Sequence, residues 1–230
     1  MRRRVVVSPI GIEDVIPLHL ADCTFPASHP LVGQRGTVHG FAVRHPAGVF
    51  VFDTGIGTGN AWVDANFRPK VRAIDDALRE VGLRADDVTA VANSHLHFDH
   101  AGQNARFGNV PIYVQRIERA AARADGYTIS EWIEFAGARY EPIDGDAEPV
   151  AGIQLLATPG HTRGHQSAVI ATTDGPVVLA GQAVYSVAEW RGEADPADQS
   201  PKSAASAKRL RGLGARRVFF GHDASRWDGA

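Results

Sequence analysis

The sequence predicts a layered α/β (α+β) fold, and three observations lead there. Short apolar runs that stop at turn residues recur through both halves of the 230-residue chain. Apolar residues at helical spacing fall between several of these runs. Strands and helices alternate along the whole length instead of being segregated, which is the pattern of sheets covered by helices. No linker long enough to divide the chain stands out, so residues 1–230 read as one domain.

Taken in order, Phe41 to Val43 and Val49 to Phe52 flank His45-Pro46-Ala47-Gly48 as a hairpin, and the second run stops at Asp53-Thr54-Gly55. Val71, Ile74, Leu78 and Val81 fall near helical spacing, with Gly82 as the C-terminal cap. Val88 to Ala92 is a buried strand that ends at Asn93-Ser94-His95. Pro111 to Val114 is a further short strand, followed by a helical run through Ile117, Ala120 and Ala121 that Gly126 closes. In the second half, Ile153 to Ala157 is a strand broken by Thr158-Pro159-Gly160. Ser167 to Ala171 and Pro176 to Ala180 form a hairpin around Asp174-Gly175. Ser203 to Leu213 is helical, and Arg217 to Phe220 is a last strand that stops at Gly221-His222. The acidic, proline-containing stretch from Glu189 to Pro201 reads as a surface loop.

Composition narrows the function. With 44% apolar and 22% charged residues the chain has globular proportions, not those of a fibre, a disordered chain or a membrane protein. Its 24 basic and 26 acidic residues give a formal charge of -2, so no nucleic-acid or membrane partner is expected. Arg2, Arg3 and Arg4 precede Val5, Val6 and Val7, but Ser8 and Pro9 end that run far short of a signal-peptide core. A cytoplasmic protein is the expectation. The single cysteine, Cys23, excludes an intramolecular disulfide scaffold. Ten histidines beside one Cys and one Met point to a metal site built from nitrogen and oxygen donors.

The decisive segment is His95-Leu96-His97-Phe98-Asp99-His100. Extended backbone sends alternate side chains to one side, so His95 and His97 point together, Asp99 continues the alternation, and a turn at Ala101-Gly102 brings His100 to a neighbouring point. Three imidazoles and a carboxylate within six residues suit zinc first, then Mn, Fe or Co. A surface histidine cluster is the alternative, and the buried strand before it argues against that. Three more apolar strands end at His161, Gln182 and His222, so strand ends from distant parts of the chain would assemble one site.

Together these residues resemble the metallo-β-lactamase superfamily, and within it the N-acyl homoserine lactone lactonases, the quorum-quenching hydrolases. The resemblance runs from about Val38 to Asp223. It rests on Phe52-Asp53-Thr54-Gly55, the His95 to Gly102 motif, Thr158-Pro159-Gly160-His161 through Gly164-His165-Gln166-Ser167, and Gly221-His222-Asp223. Phe98 and Tyr185 favour the lactonases within it. The resemblance implies an αββα sandwich with two metals at one sheet edge. His95, His97 and His161 would hold the first, and Asp99, His100 and His222 the second. Tyr185 would hydrogen-bond the substrate carbonyl or its oxyanion, or else pack as a half-buried aromatic beneath the site. Asp99 would also assist the leaving alkoxide. Asp53 would support the site without ligating, and His165 would bond backbone around the His161 loop. His19, His29, His39 and His45 are expected at the surface or lining a pocket, and Cys23 as a small, partly buried side chain.

One residue departs from the family. Gln182 stands where an aspartate bridges both metals, and a neutral amide bridges poorly. Two metals with altered chemistry, a single metal, or a weakened enzyme are the readings it opens, with Asp223 and Glu189 as acidic residues that would compensate. The expectation is a Zn2+-dependent hydrolase, with one or two ions, that opens the lactone of a small-molecule substrate, an N-acyl homoserine lactone. A homodimer is compatible with it. The rivals are another hydrolase of the same fold (a glyoxalase II-like thioesterase, a β-lactamase or a phosphodiesterase), and a weakly active or redox-sensing metal-binding protein.

Overall fold

Both faces of the longest apolar runs need cover, and the computed structural model, which describes residues 9–27 and 32–229, supplies it with two facing sheets and outer helices. His29 and the Arg2 to Val7 segment lie outside the described residues. The strands are β1 (Val15–Thr24), β2 (Arg35–His45), β3 (Gly48–Phe52), β4 (Lys70–Val71), β5 (Val88–Ala92), β6 (Pro111–Gln115), β7 (Arg139–Ile143), β8 (Ala147–Val150), β9 (Ile153–Ala157), β10 (Gln166–Thr172), β11 (Gly175–Leu179), β12 (Arg217–Phe220) and β13 (Asp223–Asp228). The helices are α1 (Ala61–Phe67), α2 (Ile74–Glu80), α3 (Phe98–Ala101), α4 (Arg116–Ala121), α5 (Ser130–Ile133), α6 (Val187–Arg191) and α7 (Pro201–Arg211). Among the described residues one sheet has the order β4-β1-β2-β3-β5-β6-β7 and the other β13-β12-β11-β10-β9-β8.

Three apolar layers hold these parts together. Phe41, Phe50, Phe52 and Ala92 of the first sheet meet Leu155, Ile170, Leu179 and Phe219 of the second. The alternate residues Val49, Val51 and Val91 turn outward against Ile74 and Leu78 of α2. On the far side Val178, Val218 and Phe220 pack on Ala207 and Leu210 of α7. Strands buried on both faces read as continuous apolar runs, which is why β5 and β12 have the bounds expected from sequence.

The topology decides where chemistry collects. β3, β5 and β6 run parallel. β9 and β11 are each antiparallel to β10, and β11 is parallel to β12, so these three also share a direction. Their C-terminal ends meet, and the sheets are stitched there by Gln166 N–H to Ser94 O (2.8 Å) and His39 N–H to Gly221 O (2.9 Å).

Several expectations need correction. The extended alternation stops at His97, because Phe98–Ala101 is a helical turn and Asp99 sits in it. Val71 belongs to β4, and the helix begins at Ile74. The Glu189 to Pro201 loop starts later than expected, since Glu189 and Trp190 are buried in α6. β13 follows β12, so Arg217–Phe220 is not the last strand. No helix among the described residues is long and apolar enough to cross a membrane.

Candidate active site

Each chemical residue follows a strand end. Asp53 comes directly after β3, buried and in the left-handed region at φ 61°, a strained conformation for a side chain with a Cβ. Its carboxylate accepts the Ser94 N–H (2.7 Å) and hydroxyl (2.8 Å) and faces His100 Nδ1 at 2.9 Å. The loop after β5 then delivers His95 and His97, and α3 delivers Asp99 and His100. Gly181 after β11, at φ 59°, packs so closely that a Cβ there would lie 2.8 Å from His165 Nε2. The turn it makes sends Gln182 N–H to that same nitrogen (2.9 Å), while His165 Nδ1 meets the Thr158 carbonyl at 3.1 Å.

Two groups of donors result. His97 Nδ1 lies 3.1 Å from His95 Nε2 and 3.2 Å from His161 Nε2. His100 Nε2 and His222 Nε2 are 3.2 Å apart, and Asp99 Oδ2 is 3.6 Å from each. The far ring nitrogens are occupied. His95 Nδ1 meets Ser94 Oγ (3.0 Å), His161 Nδ1 meets the Tyr185 hydroxyl (2.8 Å), and His222 Nδ1 donates to the Thr37 carbonyl (2.9 Å). In the first group the three nitrogens converge on one point, and tautomers protonated at the far nitrogens aim three lone pairs at it. Two nitrogens about 2.0–2.1 Å from a tetrahedral zinc lie about 3.3–3.4 Å apart, so the donors fit a metal.

Protonation agrees with that fit. His161 is pushed down to about 2, by burial first and then by neighbouring imidazoles. His95 is lowered well below the usual range for the same reasons. His100 differs: burial pulls it down, but the Asp99 and Asp53 carboxylates outweigh that and raise it. Neutral imidazoles are what a metal requires. Burial followed by Asp99 raises the Tyr185 phenol, keeping its proton in place. The Gln182 side-chain oxygen is buried without a hydrogen-bond partner of good geometry, and its amide lies near enough to His100 to favour that ring's charged form.

The two acidic residues expected to compensate for Gln182 are engaged elsewhere. Glu189 accepts the Tyr185 N–H and Asp223 accepts the Val187 N–H, each at 2.9 Å, so both hold the loop that carries Tyr185. His39 is buried, not a surface group, and is lowered to about 4 by burial and then by His19 and His222. Cys23 is buried, with its thiol pushed up to about 11 by burial and then Asp99. His19 is partly exposed beside Asp22, and His45 bonds the Ala151 carbonyl. Beside the first group opens a cavity of about 440 Å³ lined by Trp62, His97, Phe98, Gly126, Tyr127, Thr128 and Ile129. Trp62, Phe67 and Phe98 form an aromatic cluster at its side. Sequence reading missed Trp62 and Tyr127, because no spacing rule links them to the histidines.

A model of the metallo-beta-lactamase superfamily matches residues 33–222. The chain belongs to that superfamily. An N-acyl homoserine lactonase from a Bacillus species is 41% identical to it over 170 residues, covering 70% of this chain and 68% of its own. The N-acyl homoserine lactonase AttM of Azorhizobium caulinodans is 30% identical over 215 residues, covering 81% and 82%. Among solved structures of the superfamily, a variant of B. thuringiensis AiiA with N-decanoyl-L-homoserine at its active site superposes with a TM-score of 0.78 at 31% identity, over 94% of both chains. The αββα layering matches these neighbours.

Proposed function

We propose that the chain is a metal-dependent hydrolase that opens the lactone ring of N-acyl homoserine lactones. The observation that carries this is two neighbouring donor groups, the first of them opening on an apolar cavity, in a chain 41% identical to an N-acyl homoserine lactonase. His95, His97 and His161 would hold one Zn2+, and Asp99, His100 and His222 a second, with Gln182 as a neutral oxygen donor. Bound there, zinc supplies Lewis-acid polarisation of the carbonyl and a water acidified to about pKa 7.

The chain's own groups do the rest. With His161 Nε2 used as a ligand, its Nδ1–H donates to the Tyr185 oxygen, and the phenol proton is left to reach the lactone carbonyl and its oxyanion. Asp99 is the group to pass a proton from the attacking water to the leaving alkoxide. Asp53 and Ser94 orient the His100 ring. Trp62, Phe98 and Ile129 offer the acyl chain an apolar wall, worth about 0.8 kcal/mol per buried CH₂.

Residues 1–230 acting as one cytoplasmic domain belong to the same proposal, as does a homodimer, which sedimentation tests. The substrate class is tested by assaying lactones, thioesters, β-lactams and phosphodiesters at matched free zinc. Preferential hydrolysis of N-acyl homoserine lactones, abolished by chelation, is expected; preference for a thioester or phosphodiester overturns it. Gln182 favours a second reading, a weakly active metal-binding protein, which zinc content without turnover on any of the panel would support.

A further inference from the structure

Glu118 lies on α4, outside both donor groups, and its side chain is fully buried. One of its oxygens accepts the Leu96 N–H at 2.9 Å and the Tyr127 hydroxyl, and the other accepts the Thr162 hydroxyl at 2.7 Å. Leu96 stands between His95 and His97, and Thr162 follows His161. A single carboxylate thus fastens the two loops that carry the first donor group. Tyr127 lines the cavity, with its ring 4.9 Å from the His97 ring. The loop after His161 is seated on the same helix so closely that a Cβ at Gly164 would lie 2.5 Å from Glu118 Cβ.

The neighbouring basic residue does not neutralise this carboxylate, since Arg119 turns to Glu134 on the surface. Burying a carboxylate costs several kcal/mol unless hydrogen bonds and charge compensate it. Three donors from three separate segments provide the compensation here, so breaking one leaves buried charge underserved. That makes the spacing of the three segments stiff.

We propose that Glu118 is the positioning residue of the first metal position, setting the spacing of His97 and His161 and holding the Tyr127 wall of the substrate cavity against them. It rests on reading His95, His97 and His161 as metal ligands. Glu118→Met keeps the length of the side chain and removes both acceptor oxygens, leaving the Leu96 N–H and both hydroxyls unmet. In Glu118→Gln the amide oxygen keeps Leu96 and Tyr127, and the Thr162 hydroxyl reverses to accept from the NH₂.

The test uses the full chain loaded with zinc or cobalt(II). Glu118→Met should lower zinc affinity about 10–100-fold, the size of loss seen when the hydrogen-bonded support of metal ligands is removed. It should also shift the visible absorption of the cobalt(II) protein while the far-ultraviolet circular dichroism stays unchanged, and Glu118→Gln should recover most of both losses. Thr162→Val should weaken zinc in the same direction by less. Tyr127→Phe should raise the lactone KM with little change in kcat, because it frees the cavity wall and leaves the loops tied. Arg116→Gln, on the same helix but paired with Asp144 at the surface, should match wild type throughout. Wild-type zinc affinity and cobalt spectrum in Glu118→Met overturn the proposal, and Thr162→Val decides in the same way where Glu118→Met does not fold. A wild-type chain that takes up no zinc sinks the metal reading itself.

Discussion

The two donor groups are built differently from similar parts. The first is three imidazoles with no charge of its own, and its His97 forms part of the cavity wall. The second contains the Asp99 carboxylate, contributes no residue to the cavity lining, and has the fully buried His100 at its centre. Each is backed by one buried carboxylate: Glu118 behind the first, Asp53 behind the second. Glu118 reaches its rings through backbone and hydroxyls, whereas Asp53 bonds a ring nitrogen directly. The first group is therefore held by geometry. The second is held by charge, and beside it stands a neutral amide, Gln182.

If that contrast holds, substitutions should separate the two positions. The largest effect falls on the first. His97→Ala should lower lactone turnover about a thousandfold, several kcal/mol of transition-state stabilisation, and lower zinc content as well. His222→Ala should lose zinc from the second position and keep more turnover, while His45→Ala should match wild type. Equal losses in His97→Ala and His222→Ala, by metal analysis and assay, would erase the distinction.

A smaller change sharpens it. Wild-type protein should hold one zinc more tightly than the other, because Gln182 adds no charge to the second position. Gln182→Asp should raise affinity for the second zinc about 10–100-fold, as about 1.4–2.8 kcal/mol of added attraction would. It should raise turnover as well. Two equally tight zinc ions in wild type, unchanged in Gln182→Asp, would contradict this.

The smallest effect concerns Tyr185, which belongs to the first position through His161. Tyr185→Phe should lower kcat about tenfold with KM nearly constant, the value of about one hydrogen bond gained in the transition state. A raised KM at constant kcat would instead make Tyr185 a packing residue.

Helix α4 shows how far sequence reading reaches. Its helical run reads through the apolar Ile117, Ala120 and Ala121, yet Ile117 is 45% exposed and it is Glu118 that is buried. Periodicity ranks residues by apolarity, and a carboxylate met by three donors from elsewhere is invisible to it. Glu189 was placed in a surface loop for the same reason; Tyr185 N–H and the packing of α6 bury it. β1 carries Pro17, His19 and Asp22 on its exposed positions, so its run looks broken although Leu18, Leu20 and Ala21 are buried. His39, expected at the surface or lining a pocket, is buried, with its N–H bonded to the Gly221 carbonyl beside His222.

What the sequence by itself determined about this protein was whatever depends on near neighbours: strands buried on both faces, the turns that end them, and the density of donors from His95 to His100. Those features follow from backbone alternation and apolar transfer, which act over a few residues. Only the tertiary structure decided which side chains support them. Asp53 reaches His100 across 47 positions, and Glu118 reaches Thr162 across 44. A buried charge is placed by donors that folding gathers from distant segments, and no local pattern carries that information.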